Sequence, residues 1–246
     1  RRVLFRSVLA RTPGAPEGTR GISVFLVPKV HFGDDGSLGE RNGVRCVGIE
    51  HKLGIHASPT CVLSYEDAIG ELVGPLHGGM AAMFSMMNPA RLAVGVQGVS
   101  TGERSMQQAI AYAAERRQGG DPDHPGGPVT IDVHPDVRRT LADLAASVDA
   151  IRMLAFTTSI EGDLAEHHSD EARRDRARRR ADLLTPLTKS FGTDQGVRLA
   201  SIALQVHGGM GFIEETGIAQ RLRDTRIATI YEGTNGIDRK STRLNS

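Results

Sequence analysis

The 246 residues carry 30 basic and 29 acidic side chains, a balance of +1 that offers no overall field for nucleic acid or an anionic membrane. Apolar residues at 39% suffice for one large core or two modest ones, while aromatics at 4% and the absence of Trp argue against a base-stacking protein. No apolar run approaches the roughly 18 residues of a membrane span, and the first seven residues lack the core of a secretion signal, so a cytoplasmic protein without a membrane span is expected. Cys46 and Cys61 are too few for a disulfide scaffold or a four-thiolate metal site and are expected as reduced core thiols. The nine histidines show no ligand spacing, and no metal is assigned.

Residues 8–75 read as β structure. The run Gly-Ile-Ser-Val-Phe-Leu-Val-Pro at 21–28 is β-branched and stopped by proline, 44–49 alternates loosely, and Gly-Asp-Asp-Gly-Ser at 33–37 reads as a turn between strands. From about Met80 the spacing turns helical, with Met83, Met87, Ala90 and Val94 continuing through Met106, Ala109, Ile110 and Ala113 on one face. A helix of about forty residues, roughly 55 Å long, needs partner helices to support it, and Pro89 should kink it. Its methionines suit either a plain core or the wall of an acyl tunnel.

Residues 119–128, rich in glycine and proline, predict an exposed loop. A second helix starts near Pro135, with Leu141, Leu144, Val148, Ile151 and Leu154 or Ala155 facing inward. A third covers 172–206, with Leu184, Leu187, Phe191, Gln195, Leu199, Ile202 and Val206 inward and Pro186 inside it. A short fourth covers about 217–230. The whole is an α+β chain: part of a β domain, 8–75, followed by an antiparallel four-helix bundle, 76–237. The arginine-rich run at 172–180 could meet phosphates, as a helical interaction module would. Asp170 with Arg174 and Asp175 with Arg179, spaced i,i+4 with the acid first, favour a solvated helix face instead.

Two late segments carry the chemistry. In Ile-Ala-Thr-Ile-Tyr-Glu-Gly-Thr-Asn-Gly-Ile, 227–237, Glu232 lies between an aromatic and a glycine. A carboxylate in a partly desolvated pocket can act as a base, and Gly233 lets a ligand carbonyl approach the backbone; an exposed Glu in a turn is the plain alternative. Upstream, Ala-Leu-Gln-Val-His-Gly-Gly-Met-Gly-Phe-Ile, 203–213, ends a helix with more glycine than a cap requires. Gly208, Gly209 and Gly211 form either a turn or a ligand cradle.

In this order and spacing the two segments resemble the C-terminal part of the acyl-CoA dehydrogenases, flavoenzymes that desaturate acyl thioesters between Cα and Cβ. Residues 48–62 look like late strands of that family's β domain, and 80–98 like the opening helix of its bundle. The resemblance covers roughly residues 8 to 237 and is nearest to the long subgroup that includes the 3-methylmercaptopropionyl-CoA dehydrogenases. Residues 1–7 and 238–246 look like adaptor-derived tails, so the chain is expected to be a fragment without the family's N-terminal helical domain, and inactive alone.

The resemblance implies FAD as cofactor and formation of a trans-2-enoyl-CoA in fatty acid β-oxidation. Glu232 takes the α-proton as hydride passes to the flavin. Some relatives carry the base just before the arginine that corresponds to Arg91; Ala90 stands there, so that alternative is absent. Arg91 would support the base loop or cap a buried carbonyl, and with Tyr231 and Gly233 it completes the substrate side. Arg116 matches an arginine that binds the FAD pyrophosphate across a subunit boundary, with Gln118 in the same turn; Gln205, Gly208, Gly209 and Thr234 match the adenosine end. The partners implied are acyl-CoA, electron-transfer flavoprotein or a similar acceptor, and further copies of the chain in a homodimer or homotetramer. An acyl-CoA oxidase using O₂ shares the same site.

Overall fold

The computed structural model describes residues 5–121 and 125–236. The chain divides into two compact units, one ending at Met87 and the other beginning at Asn88.

Among the described residues the first unit holds seven strands: β1 (Phe5–Arg11), β2 (Ile22–Pro28), β3 (Val30–Phe32), β4 (Leu38–Arg41), β5 (Val44–Ile49), β6 (Cys61–Tyr65) and β7 (Glu71–Val73). They form a sheet of order β1-β2-β7 and the pairs β3-β4 and β5-β6. The β-branched run at 22–28 is the central strand, antiparallel to both neighbours, with Val24 and Val27 buried. Phe5, Arg6 and Ser7, set aside as tail, continue β1 and pair with Pro28, Val27 and Leu26. A backbone ladder needs only N–H and C=O groups, so it accepts side chains that pack little. The turn at 33–37 closes as expected, through Gly33 N–H to Ser37 O at 2.9 Å and Ser37 N–H to Asp35 Oδ1 at 3.0 Å.

The polar centre of this unit is Asn42, which is buried. Its Nδ2 donates to Pro28 O and Ile69 O, and its Oδ1 accepts from the N–H groups of Gly43 and Ile69, so one amide ties the end of β2 to the loops before β5 and before β7. The cysteines are not core thiols: Cys46 is exposed and Cys61 half-buried, both on the β5–β6 pair. The hydrogen bond that the Cys61 thiol shares with Cys46, which favours its protonated form, pushes Cys61 above its ordinary value.

Helices α1 (Gly79–Glu115), α2 (Pro135–His167), α3 (Glu171–Val206) and α4 (Ile218–Thr225) follow. Pro89 and Pro186 lie inside α1 and α3, and Pro135 opens α2, where its missing N–H costs nothing. Asp170 begins α3 by accepting from Ala172 N–H at 3.0 Å. Residues 119–121 and 125–128 of the expected loop are without helix, and the segment is clasped by Gln118 N–H to Val129 O at 2.9 Å; 122–124 lie outside the described residues, as do Ile237 and the tail after it.

The apolar core joins Val99 and Ala109 of α1, Leu144, Val148, Ile151 and Ala155 of α2, Leu199 and Ala203 of α3, and Ile218 of α4. Two residues expected inward turn outward: Ile110 is 43% exposed and Phe191 45%. The reason for Phe191 is the way α1 and α3 meet. A Cβ on Gly98 would lie 2.1 Å from Gly192 O, and one on Gly95 2.8 Å from the Thr188 side chain. Backbones this close leave no room for large inward side chains, so α3 faces inward here with Thr188, Lys189, Gly192, Thr193 and Gly196. Thr188 and Thr158 share a hydroxyl hydrogen bond of 2.6 Å across α2 and α3.

Candidate active site

After α4 a short 3-10 segment, Arg226–Thr229, leads into a turn at residues 230–234. Ile230 N–H and Tyr231 N–H both donate to Ile227 O, at 2.8 and 3.1 Å. Glu232 then takes φ 53° and Gly233 φ 93°. The left-handed conformation is ordinary for glycine but costs a residue with a Cβ on the order of 1–2 kcal/mol, so Glu232 is strained. What holds it there is a set of side chains from α1 and α3. Arg91 Nε donates to Glu232 O at 3.3 Å, Tyr231 donates its hydroxyl proton to Gln97 Oε1, and Lys189 Nζ donates to Gly233 O.

Glu232 itself is half-buried, and so are Tyr231 and Gly233, while Thr234 is exposed. Burial, with the Glu232 carboxylate adding to it, pushes the Tyr231 phenol above its ordinary value, so it stays neutral beside the carboxylate. Arg91, for which two readings stood open, reaches a carbonyl: it is attached to the turn through the Glu232 peptide oxygen.

A second locus gathers four of the other candidates. Tyr112, Arg116, Gln118, Val206, His207, Gly208, Gly209 and Met210 line part of a groove of about 320 Å³. The His207 ring is buried, stacked on Tyr112 with centroids 4.4 Å apart, and its Nδ1 lies 2.8 Å from Ala203 O. Arg116 and Gln118 are exposed, with Arg116 Nη2 3.4 Å from Gln118 Oε1. The three glycines sort by local cause. Gly208 turns the chain at φ 58°, and Gly211 packs so close that a Cβ would lie 2.4 Å from Leu204 O. Gly209 has no such backbone demand, since a Cβ there meets nothing within 4 Å. Gln205 is exposed, and neither it nor Thr234 is among the groove's lining residues.

The arginine-rich face of α3 makes intrachain contacts that differ from the expected i,i+4 pairs. Arg173 and Arg180 both pair with Glu161 of α2, a buried carboxylate, at 3.4 and 2.9 Å. Arg174 donates to the carbonyls of His168 and Ser169, and Arg178 pairs with Asp175 one turn earlier.

A family model described as acyl-CoA dehydrogenase, C-terminal domain, matches residues 77–243. The chain belongs to the acyl-CoA dehydrogenase family. The 3-methylmercaptopropionyl-CoA dehydrogenase of Ruegeria pomeroyi is 52% identical to it over 231 residues, covering 94% of this chain and 39% of that protein. The broad-specificity linear acyl-CoA dehydrogenase FadE5 of Mycobacterium tuberculosis is 38% identical over 246 residues, covering 95% and 40%. Among solved structures, ACDH-11 of Caenorhabditis elegans in complex with C11-CoA superposes with a TM-score of 0.84 at 27% identity, over 98% of this chain and 39% of that one. The chain thus spans about two fifths of the length of these relatives.

Within this acyl-CoA dehydrogenase bundle, the structure adds residues to the turn that sequence reading passed over. Lys189 is fully buried, and Asn235, also buried, donates through Nδ2 to Ser190 O, Thr193 Oγ1 and Asp194 Oδ1. The available signal was a gap in apolar periodicity. Thr-Lys-Ser-Phe-Gly-Thr-Asp-Gln-Gly at 188–196 puts polar and small residues where a helix in the middle of a bundle should bury large ones.

Proposed function

We propose that the polypeptide carrying this chain dehydrogenates an acyl-CoA thioester to the trans-2-enoyl-CoA, with Glu232 as the base that takes the α-proton. The observation that carries the reading is the half-buried Glu232 held at φ 53° on a turn fastened to two helices, in a chain of the acyl-CoA dehydrogenase family. Strain of this kind persists where the surroundings over-determine it, and a carboxylate poised against a weak carbon acid needs a fixed direction. The α-proton goes to a Glu232 carboxylate oxygen. Tyr231, half-buried beside Glu232 in the chain, and Gly233, which leaves the backbone open to the thioester group, make up the substrate side.

The groove fits the phosphate-bearing part of a dinucleotide. Arg116 offers a guanidinium fork, Gln118 an amide, and Gly209 an unobstructed backbone. Arg116, Gln118, Gly208 and Gly209 would hold FAD there, and Gln205 and Thr234 would meet its adenosine end from outside the groove. FAD, when bound, supplies the acceptor for the hydride that leaves Cβ. The reducing equivalents then pass on to electron-transfer flavoprotein or a similar acceptor, and the working form is a homo-oligomer.

The test is acceptor reduction by the complete polypeptide with butyryl-CoA and 3-methylmercaptopropionyl-CoA as probes. Glu232→Gln should lower turnover by at least about 100-fold, and a variant that retains turnover removes Glu232 from the base role. Peroxide release without an added acceptor would assign the chain to the oxidases instead.

A further inference from the structure

Lys189 has no exposed surface, and it is the largest side chain so enclosed among the described residues. An ammonium withdrawn from water persists only where partners replace its hydration. Nζ donates to Gly233 O and, at 2.8 Å, to Asn235 Oδ1, so the cation reaches out of α3 onto the turn that bears Glu232. Asn235 turns its Nδ2 back onto Ser190, Thr193 and Asp194 of the same helix, at 3.1, 3.0 and 2.8 Å. The turn is thereby fastened to α3 beyond Glu232, while Arg91 of α1 holds the carbonyl of Glu232 itself.

Peptide planarity makes these ties directional. In a trans peptide the C=O and N–H point opposite ways, so holding the Glu232 and Gly233 carbonyls aims the N–H groups of Gly233 and Thr234 away from the two cations. Glu232 sits at φ 53°, where a side chain with a Cβ stays only under constraint. Released, the turn relaxes to a commoner backbone and the carboxylate loses its direction.

We propose that Lys189 is a positioning residue for Glu232, a buried cation that holds the strained turn in the conformation in which the carboxylate meets the α-carbon. The inference rests on the reading of Glu232 as the base. Lys189→Met, in the complete polypeptide with cofactor bound, keeps the unbranched apolar stem, one atom shorter, and removes the amino group with its charge. The expected fall in kcat is about tenfold to a hundredfold, with KM moved by less than about threefold, the scale of one hydrogen bond to a buried charge. Substrate deuterated at Cα should then show a larger isotope effect, because proton abstraction becomes the slower step.

Hydrogen exchange followed by mass spectrometry should quicken across residues 231–236 and stay unchanged across 144–155. That readout needs no turnover, so it holds the proposal to account even if Glu232→Gln points to another base. Asn235→Ala removes one acceptor of Nζ and leaves the lysine in place; it should repeat the pattern at about threefold to tenfold, and it decides the matter if Lys189→Met does not fold. Unaltered exchange at 231–236 would overturn the proposal, as would a kcat within about threefold of the parent, or a loss that follows a global rise in exchange with the isotope effect unmoved.

Discussion

The bundle is assembled by two different means along the same helices. Around Leu144, Val148, Ile151, Leu199 and Ala203 the contacts are apolar and complete, whereas residues 188–196 of α3 face inward with hydroxyls, an ammonium and glycines. Apolar burial is strong but has no preferred direction, so it sets how firmly the helices hold together. Hydrogen bonds of a buried ammonium and amide are directional and expensive to leave unmade, so they set where one turn points. The base candidate is tied to the second region through Lys189 and to α1 through Arg91, and to the first by none of these hydrogen bonds.

Leu144→Ala challenges this division most forcefully. It empties a fully buried site in the apolar region and should cost about 3 to 4 kcal/mol in denaturant unfolding, while exchange at residues 231–236 of the folded molecules stays as it was. A matching local change at the turn would mean that the two regions are one. Gly98→Ala acts where they adjoin. Its Cβ would strike Gly192 O, a backbone atom that cannot swing aside, so a loss of about 3 kcal/mol is expected together with faster exchange at the turn. Asp170→Ala removes only the cap of α3, remote in sequence from both regions, and should lower stability by about 1 kcal/mol without altering the turn. Thermal unfolding of the three variants side by side gives the ranking.

Much of the fold was legible because its signals are local. Proline stops β2 and opens α2, Gly-Asp-Asp-Gly-Ser closes the β3–β4 hairpin, and Leu144, Val148, Ile151 and Ala155 mark the inward face of α2 by spacing alone. The face of α3 was misread for a physical reason. Periodicity looks for large apolar residues, but the close crossing with α1 admits only small ones, and Phe191 is pushed out. The pairing of Arg173 and Arg180 with Glu161 was equally invisible, since spacing along one helix does not disclose a carboxylate on the next. At the turn, Glu232 and Gly233 announced themselves by type and order, and Arg91 through the family resemblance. Lys189 gave no such notice, because a lysine among polar neighbours reads as surface until the helix is placed.

The near-contact of Gly98 with Gly192 gives the two cations a shared datum. Arg91 lies seven residues before Gly98 on α1, and Lys189 three before Gly192 on α3. Two main chains that already touch cannot be squeezed closer, and no side chain intervenes whose replacement would alter their separation. The anchor points from which both cations extend are therefore indexed to a hard stop, and substitutions elsewhere in the bundle can exchange volume without resetting the span between them.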